Sequence, residues 1–401
     1  MLSADVIVAG GGVAGLLISN ALAPSFSVIL LEQNDSFPRN KYWLTDARAL
    51  KDNAELSGCV DTRYDALEFV AYDGLTATIK GDYCLWDTDK LVDLLAQRLI
   101  DNGVRLLTGH RLYSFFEERN AIAIRANAET IRAKLLIDCM GFGSPIVGAK
   151  DVATITGYYI LHGGEVAVRA GCRPVALDNV IVSRNPTFFE IFPTSRATAH
   201  AAIILPSRQY RPERSLQKEF SFILQHSHYA QHIADQPPDH KRSYFGVVPV
   251  GRLHHPALDR MVFFGEAGQS NPAASATGLS RMLRTHHELA HRLEGCLRTG
   301  HLQRKHLLRA IPASMTRMNR FFQESLFESL LSFDSDQFRR LVQEMGSYPD
   351  EIVNDLLFAT FAFARPAALA LALDAVRRPR GVLGKNVVKS IARFLTRWPS
   401  F

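Results

Sequence analysis

The sequence predicts an α/β protein in which a parallel-sheet domain is interrupted by an antiparallel sheet and followed by a helical region. Three observations predict this class. The chain opens with a βαβ pattern, since the apolar run Asp5–Ala9 precedes a glycine turn, a helix and a second apolar strand. Strand-like runs separated by Gly, Pro and Asn fill Tyr158–Leu205, and helical patterns dominate from Gly278 onward. The 401 residues, 47% of them hydrophobic, suffice for two or three domains with buried cores.

A glycine motif follows the first strand. Gly10, Gly12 and Gly15 form GxGxxG. They allow, in turn, a tight turn, close approach of the backbone to a diphosphate, and close packing of helix on strand. The amides at the helix start, at the positive end of its dipole, then bind the diphosphate. Glu32 ends the second strand, where a carboxylate hydrogen-bonds a ribose diol. The pattern predicts a Rossmann-like dinucleotide site.

A second turn, Gly265–Ser280, reads GEAGQSNPAASATGLS after the strand-like MVFF. It resembles the late flavin-binding motif of FAD enzymes with the p-hydroxybenzoate hydroxylase fold. In that motif Gly-Asp-Ala precedes a Pro and a Gly-Leu that opens a helix. Glu266 stands where Asp is usual, and Ser275 where Gly is frequent. The resemblance implies that the cofactor is FAD, with the acid on a ribityl hydroxyl and helix-start amides at the pyrimidine edge of the flavin.

The predicted FAD contacts come from both turns and from a weaker match at Leu135–Ser144, LLIDCMGFGS. The sequence has no second GxGxxG for a separate nicotinamide domain, and NAD(P)H is expected as an external reductant, as is often the case in this fold. The predicted contacts are Gly10, Gly12, Val13, Ala14, Gly15, Glu32, Gln33, Arg39, Leu112, Gly141, Gly265, Glu266, Gly278 and Leu279.

Much of the chain also resembles the lycopene cyclases, which share this flavin fold. The resemblance is carried by FPRNKYW, WDTDKLVDLL, AKLLIDCMGFG, GYYILHGGEV, FFEIFPTS and the second glycine turn, and RFFQESLFESLL also fits. It implies a Rossmann-like FAD-binding domain, an inserted antiparallel sheet that caps the flavin, and a C-terminal helical region that forms one wall of an apolar tunnel. The acidic motif of the family, Phe-Leu-Glu-Glu-Thr, falls on His200–Ile204, so both acids are absent, and the family's helix-start Arg is Thr88.

These patterns predict the domain organisation. The FAD-binding domain is expected at 1–155 and again at 244–300, with a mainly antiparallel substrate domain at 156–243. The helical region is expected at 301–401. A helix is predicted at Asp87–Leu99, and strands are predicted at Val104–Leu107, Ala121–Arg125 and Lys134–Asp138.

Because both acids are absent, the sequence favours an FAD-dependent oxidoreductase. The expected enzyme is a monooxygenase that acts on a hydrophobic small molecule of specialised (secondary) metabolism through a flavin hydroperoxide. The alternative is a redox-neutral cyclase or isomerase that uses reduced FAD and another acid. The second alternative is a non-catalytic flavin-binding protein. The oligomeric state is left open.

The catalytic candidates are Glu190, His162 and His200. Glu190 lies within TFFEIF, where aromatic neighbours would raise its pKa and suit it to donate a proton, unless strand alternation turns it to solvent. Each histidine is weighed against a role as a hydrogen-bonded residue of the sheet. The predicted substrate pocket contains Tyr42, Trp43, Phe188 and Pro272.

Charge and cysteine patterns exclude other classes of protein. Seven basic residues between Arg377 and Arg397, with no acid among them, account for the whole net charge of +6 and leave the rest of the chain close to neutral, so no nucleic-acid partner is expected. Five widely spaced cysteines without a CxxC pair predict neither a disulfide framework nor a zinc ribbon, and favour a cytoplasmic location. No basic n-region precedes the first glycine turn, so no signal peptide is expected.

Two local patterns have alternative interpretations. HELAH at His287–His291 satisfies HExxH, but it lies on the helix opened by Gly278 and lacks a third ligand, so no metal site is predicted. The tail 379–401 has an apolar stripe opposite basic residues. It is either a peripheral contact with the inner membrane face or a helix packed on the body of the protein.

Overall fold

The computed structural model describes residues 2–39, 41–180, 187–210, 213–233, 243–269, 271–272, 275–312, 324 and 326–358. The described strands assemble into two eight-stranded sheets. The amphipathic tail 379–401 lies outside the described residues, so its membrane contact stays a prediction. No described helix combines the length and the apolar character needed to cross a membrane.

The strands are β1 (Leu2–Ala9), β2 (Val28–Leu31), β3 (Leu44–Asp46), β4 (Val60–Val70), β5 (Thr76–Trp86), β6 (Arg105–Leu107), β7 (Leu112–Glu117), β8 (Ile122–Ala126), β9 (Glu129–Asp138), β10 (Ala153–Ala167), β11 (Val175–Val180), β12 (Thr187–Pro193), β13 (Thr198–Ser207), β14 (Tyr244–Leu253), β15 (Ala257–Leu258) and β16 (Met261–Phe263). The helices are α1 (Val13–Leu22), α2 (Thr88–Asp101), α3 (Pro145–Ala149), α4 (Glu213–His226), α5 (Gly278–Thr299), α6 (Arg304–Ala310), α7 (Ser335–Met345) and α8 (Asp350–Leu357). Short 3₁₀ turns lie at Ala47–Leu50, Ala54–Cys59, Gly141–Gly143 and His228–Gln231.

The first sheet has the order β15-β16-β9-β1-β2-β6 and confirms the predicted βαβ unit. Strand β1 pairs in parallel with both β2 and β9, and β16 pairs in parallel with β9. The hairpin β7–β8 extends the sheet along the first half of β9. Helices α1, α2 and α5 bury their apolar faces on one side of this sheet. The carboxyl ends of parallel strands share an edge, and both glycine turns therefore start from that edge.

The second sheet has the order β14-β10-β13-β12-β11-β4-β5-β3 and is antiparallel except between β11 and β4. It therefore takes strands β3–β5 and β14 from outside 156–243, the range that the sequence assigned to the inserted sheet. This is a correction to the extent of that sheet, and the division into domains stays a prediction. Helix α4 packs on one face of the sheet through Leu216, Phe220 and Ile223. Helices α7 and α8 pack toward the other face.

Candidate active site

A cavity of about 830 Å³ runs from the glycine turns of the first sheet to the inner face of the second sheet. This volume lies within the usual range for small-molecule and cofactor sites. One end is lined by the turns after β1, β2 and β9 and by the start of α5. The other end is lined by β4, β10–β14, α7 and α8. The glycine turns, which suit a nucleotide, and the apolar side chains therefore line one continuous cavity.

The first glycine turn is shaped by contacts that only glycine permits. Gly10 has a φ of 106°, and a Cβ there would lie 2.5 Å from the carbonyl oxygen of Cys139. A Cβ on Gly15 would lie 1.9 Å from the carbonyl oxygen of Gly10. At Gly12 there is open space, and no side chain caps the start of α1. The first amides of this helix are therefore available to a diphosphate.

Glu32 lies at the end of β2 and lines the cavity. Its buried carboxylate accepts hydrogen bonds from the amide of Gly11 at 2.9 Å and from the amide and side chain of Asn34 at 2.9 and 2.6 Å. These bonds hold the carboxylate beside the open start of α1. The position fits the ribose diol that the sequence predicted.

The second glycine turn contacts the first, as the sequence predicted. A Cβ on Gly265, whose φ is 67°, would lie 2.5 Å from the Cβ of Ala14. Gly278 opens α5 so close to Asn271 that a Cβ would lie 1.8 Å from the side-chain oxygen of that residue. Gly278 and Leu279 line the cavity. Two helix starts, those of α1 and α5, therefore face the same space.

Glu266 contacts a third turn, the one after β9, since a Cβ on Gly141 would lie 3.2 Å from its Oε2 atom. Burial raises the pKa of Glu266, while the positive charge of Lys41 opposes that rise. Asp138, at the end of β9, holds the third turn by accepting a hydrogen bond from the Ser144 hydroxyl. Burial raises the pKa of this carboxyl group to about 6.

Most of the predicted cofactor contacts line the cavity, and three do not. Gly15 and Gly265 pack within the turns, so they shape the site without facing it. Arg39 pairs with Asp93 at the surface of the protein. The residues that do line it are Gly10, Gly12, Val13, Ala14, Glu32, Gln33, Leu112, Gly141, Glu266, Gly278 and Leu279.

The other half of the cavity is apolar. Three of the four predicted pocket residues, Tyr42, Trp43 and Phe188, line it, whereas Pro272 is buried without facing it. The C-terminal helices form one wall, as the family resemblance implied. That wall comprises Leu326, Leu330, Phe338, Leu341, Met345, Val353, Leu356 and Leu357.

Glu190 faces this apolar half rather than bulk solvent, which removes the alternative that strand alternation left open. Burial raises its pKa to about 8, so the carboxyl group is mostly protonated at pH 7. On the neighbouring strand Glu190 pairs with Ala202, one of the positions where the lycopene cyclase motif has Glu. The cavity therefore keeps an acid one strand away from the family's position, although both motif positions, Ala202 and Ile203, lack one as the sequence indicated.

The two histidine candidates do not line the cavity. His162 is buried on the opposite face of the sheet, where its ring lies 5.5 Å from that of Phe220 on α4. His200 lies behind the cavity wall and stacks on Tyr42, with ring centroids 5.1 Å apart and an interplanar angle of 11°. His162 therefore lies away from the cavity, and His200 packs on a residue that lines it.

Sequence reasoning missed Lys41, Phe192 and Tyr244, which also line the cavity. Phe192 had a detectable signal, because it lies two residues after Glu190 on the same strand and hence on the same face. Tyr244 had none, since only the pairing of β10 with β14 brings it near Glu190. Thr88 donates a hydrogen bond to the carbonyl oxygen of Lys41, and so anchors the segment that carries Tyr42.

The HELAH segment lies on the outer side of α5. His287 and His291 are exposed, and Glu288 pairs with Arg292 at 2.5 Å. Within the part of the chain that the structure describes, no cluster of three or more His, Cys, Asp or Glu side chains is placed to hold a metal ion.

Comparison with known proteins agrees with this geometry. The family model described as "Lycopene cyclase protein" matches residues 5–375. Lycopene beta cyclase from Narcissus pseudonarcissus is 24% identical over 165 residues, which cover 40% of this chain and 32% of that protein. The chain thus matches about a third of the length of this curated relative.

Two solved structures share the fold. A geranylgeranyl bacteriochlorophyll reductase-like protein from Thermoplasma acidophilum superimposes with a TM-score of 0.73 at 16% identity, covering 93% of this chain and 99% of its own. The halogenase PltM, solved with phloroglucinol and FAD, superimposes with a TM-score of 0.68 at 12% identity, covering 98% and 96%. The fold of this chain is therefore that of FAD-dependent flavoenzymes.

Proposed function

Since this chain belongs to the lycopene cyclase protein family, we propose that it binds FAD and catalyses a proton-initiated, redox-neutral isomerisation or cyclisation of an elongated apolar alkene. The observation that carries the proposal is the position of Glu190, whose carboxyl group lines the apolar half of a cavity whose other half suits a dinucleotide.

The residues present fit FAD. The open start of α1 suits the diphosphate, Glu32 the ribose, and Glu266 with the start of α5 the flavin side. Reduced FAD would supply electron density that stabilises positive charge on a substrate without net electron transfer. Every remaining step is assigned to the side chains of this protein.

Glu190 is suited to the first step. Alkenes are very weak bases, so their protonation needs an acid held close to the double bond in a dry site. The pKa of about 8 keeps the proton on Glu190 at neutral pH. The proton adds to one alkene carbon, the π electrons form the new C–H bond, and the adjacent carbon becomes cationic. Loss of a proton from a neighbouring carbon to the Glu190 carboxylate restores the acid and gives an isomer of the substrate.

The test uses FAD-loaded, reduced protein with lycopene as the probe substrate, because the relative from Narcissus carries that name. We expect a product of unchanged mass in H₂O, deuterium incorporation in D₂O, and no label from ¹⁸O₂. Glu190→Gln is expected to lower the rate by about 10²–10⁴-fold, the usual contribution of an acid catalyst.

The matched control is Asp178→Asn. Asp178 is a buried acid on the adjacent strand β11 with a raised pKa, but it does not line the cavity. This variant is expected to keep the rate. Retention of the rate by Glu190→Gln would overturn the proposal, as would protein that releases no flavin on unfolding after incubation with FAD.

Flavin monooxygenation with NAD(P)H as reductant is the second candidate. It is favoured by the shared fold and by the apolar lining of the substrate half, because a reactive oxygen species needs surroundings that keep water away. The same experiment separates the two candidates, because a monooxygenase would incorporate one ¹⁸O atom per turnover and would need NAD(P)H stoichiometrically.

A further inference from the structure

Three aromatic rings converge beside Glu190. The ring of Tyr42 lies 6.0 Å from that of Phe192, at an interplanar angle of 50°, and 5.2 Å from that of Tyr244, at 60°. All three residues and Glu190 line the same cavity. The rings are inclined to each other, and each of the three side chains lines the cavity. This group is called the aromatic cage below.

The register of the second sheet explains how the cage forms. Glu190 pairs with Ala202, Ala202 with Gly163, and Gly163 with Tyr244, so one row crosses four strands. The two middle residues are small. A Cβ on Gly163 would lie 2.5 Å from the Tyr244 hydroxyl and 2.6 Å from the Cβ of Ala202. The Tyr244 side chain therefore lies back across the row, toward the acid.

The three rings of the cage carry no charge, and the titratable group stacked on them is His200, on Tyr42. The Tyr244 hydroxyl donates to the carbonyl oxygen of Ala201 at 3.2 Å, and burial and the charge of Glu190 raise the phenol pKa well above its usual value. Lys41 precedes Tyr42, and its charge acts on Glu266 at the nucleotide end. Among the described residues that line the apolar half, none is Lys or Arg. A positive charge formed there meets aromatic rings and one carboxyl group.

We infer that the cage of Tyr42, Phe192 and Tyr244 stabilises the carbocation formed when Glu190 protonates the substrate. The inference rests on the proposed function and narrows its substrate class. The reacting group is an alkene whose protonation leaves a tertiary or allylic cation at the end of an apolar chain. Ring faces attract cations most strongly where water is absent, and loss of one ring costs about tenfold or more in binding a desolvated cation.

The test measures binding of a cation and of its uncharged isostere, independently of turnover. The probes are 2-(octyloxy)ethyl-trimethylammonium and 3,3-dimethylbutyl octyl ether, titrated into FAD-loaded protein at pH 6, where Glu190 is protonated. We expect Tyr42→Leu, Phe192→Leu and Tyr244→Leu each to weaken cation binding about tenfold. The same variants should change ether binding by less than about threefold. Tyr42→Phe keeps the ring and should keep cation binding.

Two controls make the result decisive. Phe69→Leu shortens another aromatic side chain of the cavity, two strands from Glu190, and should affect both probes alike. Glu190→Gln should keep cation binding if the rings carry it. Equal weakening of both probes by the cage variants would overturn the inference, and so would loss of cation binding in Glu190→Gln.

The outcomes also separate this inference from the proposed function. If Glu190→Gln loses turnover while the cage variants show no preference between the probes, only the inference fails. If the cage variants are selective for the cation while Glu190→Gln keeps turnover, the cage stands as a cation site and the proposed function fails.

Discussion

At the scale of the residue, the carboxyl group of Glu190, which lines the cavity, lowers the free energy of unfolding. The pKa of Glu190 rises from 4.5 to about 8 because the anion loses its hydration in the cavity. Such groups are typical of functional sites, where a favourable chemical state is maintained at a cost in folding free energy. Two predictions follow from this one residue.

The first concerns the pH dependence of the rate. Only the protonated acid donates, so the rate of isomerisation should be constant below pH 7 and fall as pH rises through about 8. The titratable groups on neighbouring elements are Tyr244, which stays a neutral phenol, and His200 behind Tyr42. Rates measured from pH 5 to 10 with the same probe check this, and a rate that rises above pH 8 would contradict it.

The second concerns stability. A carboxyl whose pKa is raised in the folded state costs no stability below its unfolded pKa; the cost grows from the unfolded pKa up to the folded pKa and is constant above it. Glu190→Gln, which is neutral at every pH, should therefore match the wild type in Tm near pH 4. Its advantage should grow between pH 4.5 and about 8 and then level off. An exposed variant, Glu55→Gln, should show no such trend.

At the scale of the element, a partly buried ion-pair network ties the helical wall to α5 and to β3. Arg284 on α5 contacts Asp46 at 2.8 Å and the carbonyl oxygen of Phe358 at 2.6 Å. Arg48 joins Asp46 and Asp355 on α8 at 3.2 and 2.6 Å. The hydroxyl of Thr277 in the second glycine turn also donates to the carbonyl oxygen of Leu357, at 3.2 Å. The wall of the apolar half is thus held by the same elements that form the nucleotide half.

Removing the Arg284 guanidinium should weaken the packing of α8 against α5. Arg284→Met leaves Asp46 buried with one partner fewer and should cost about 3–5 kcal/mol, as for other broken buried pairs. Hydrogen exchange should accelerate most in Asp350–Leu357. The control is Arg63→Met, whose pair with Asp82 is exposed on both sides and should be worth less than about 1 kcal/mol. Equal losses in the two variants would contradict the assigned role.

At the scale of the whole molecule, the site exists because two turns more than 250 positions apart touch. Gly265→Ala should push the second turn away from Ala14 and reduce the flavin retained per protein. Gly74→Ala introduces a similar strain at a φ of 84°, but at a turn with open space around it, and should retain flavin. Flavin absorbance after gel filtration checks this prediction, and full retention in Gly265→Ala would contradict it.

The local parts of this protein follow from its amino-acid sequence. The βαβ unit, both glycine turns, the antiparallel sheet and the apolar helices were predictable, because period, glycine spacing and turn residues act over short distances. Except for Gly15 and Gly265, the predicted contacts in the turns line the cavity for the same reason, whereas Arg39 pairs with Asp93 of the neighbouring helix α2.

Which side chains face the cavity depends on packing between elements that are distant in the chain. Strand alternation says that Glu190 and Phe189 point in opposite directions but not which face is covered by α4 and which by α7 and α8. The row from Glu190 to Tyr244 joins strands distant in the chain, so the register of the sheet brings the acid and its cage together. Burial by those distant elements sets the pKa of Glu190, and with it the chemistry that we propose.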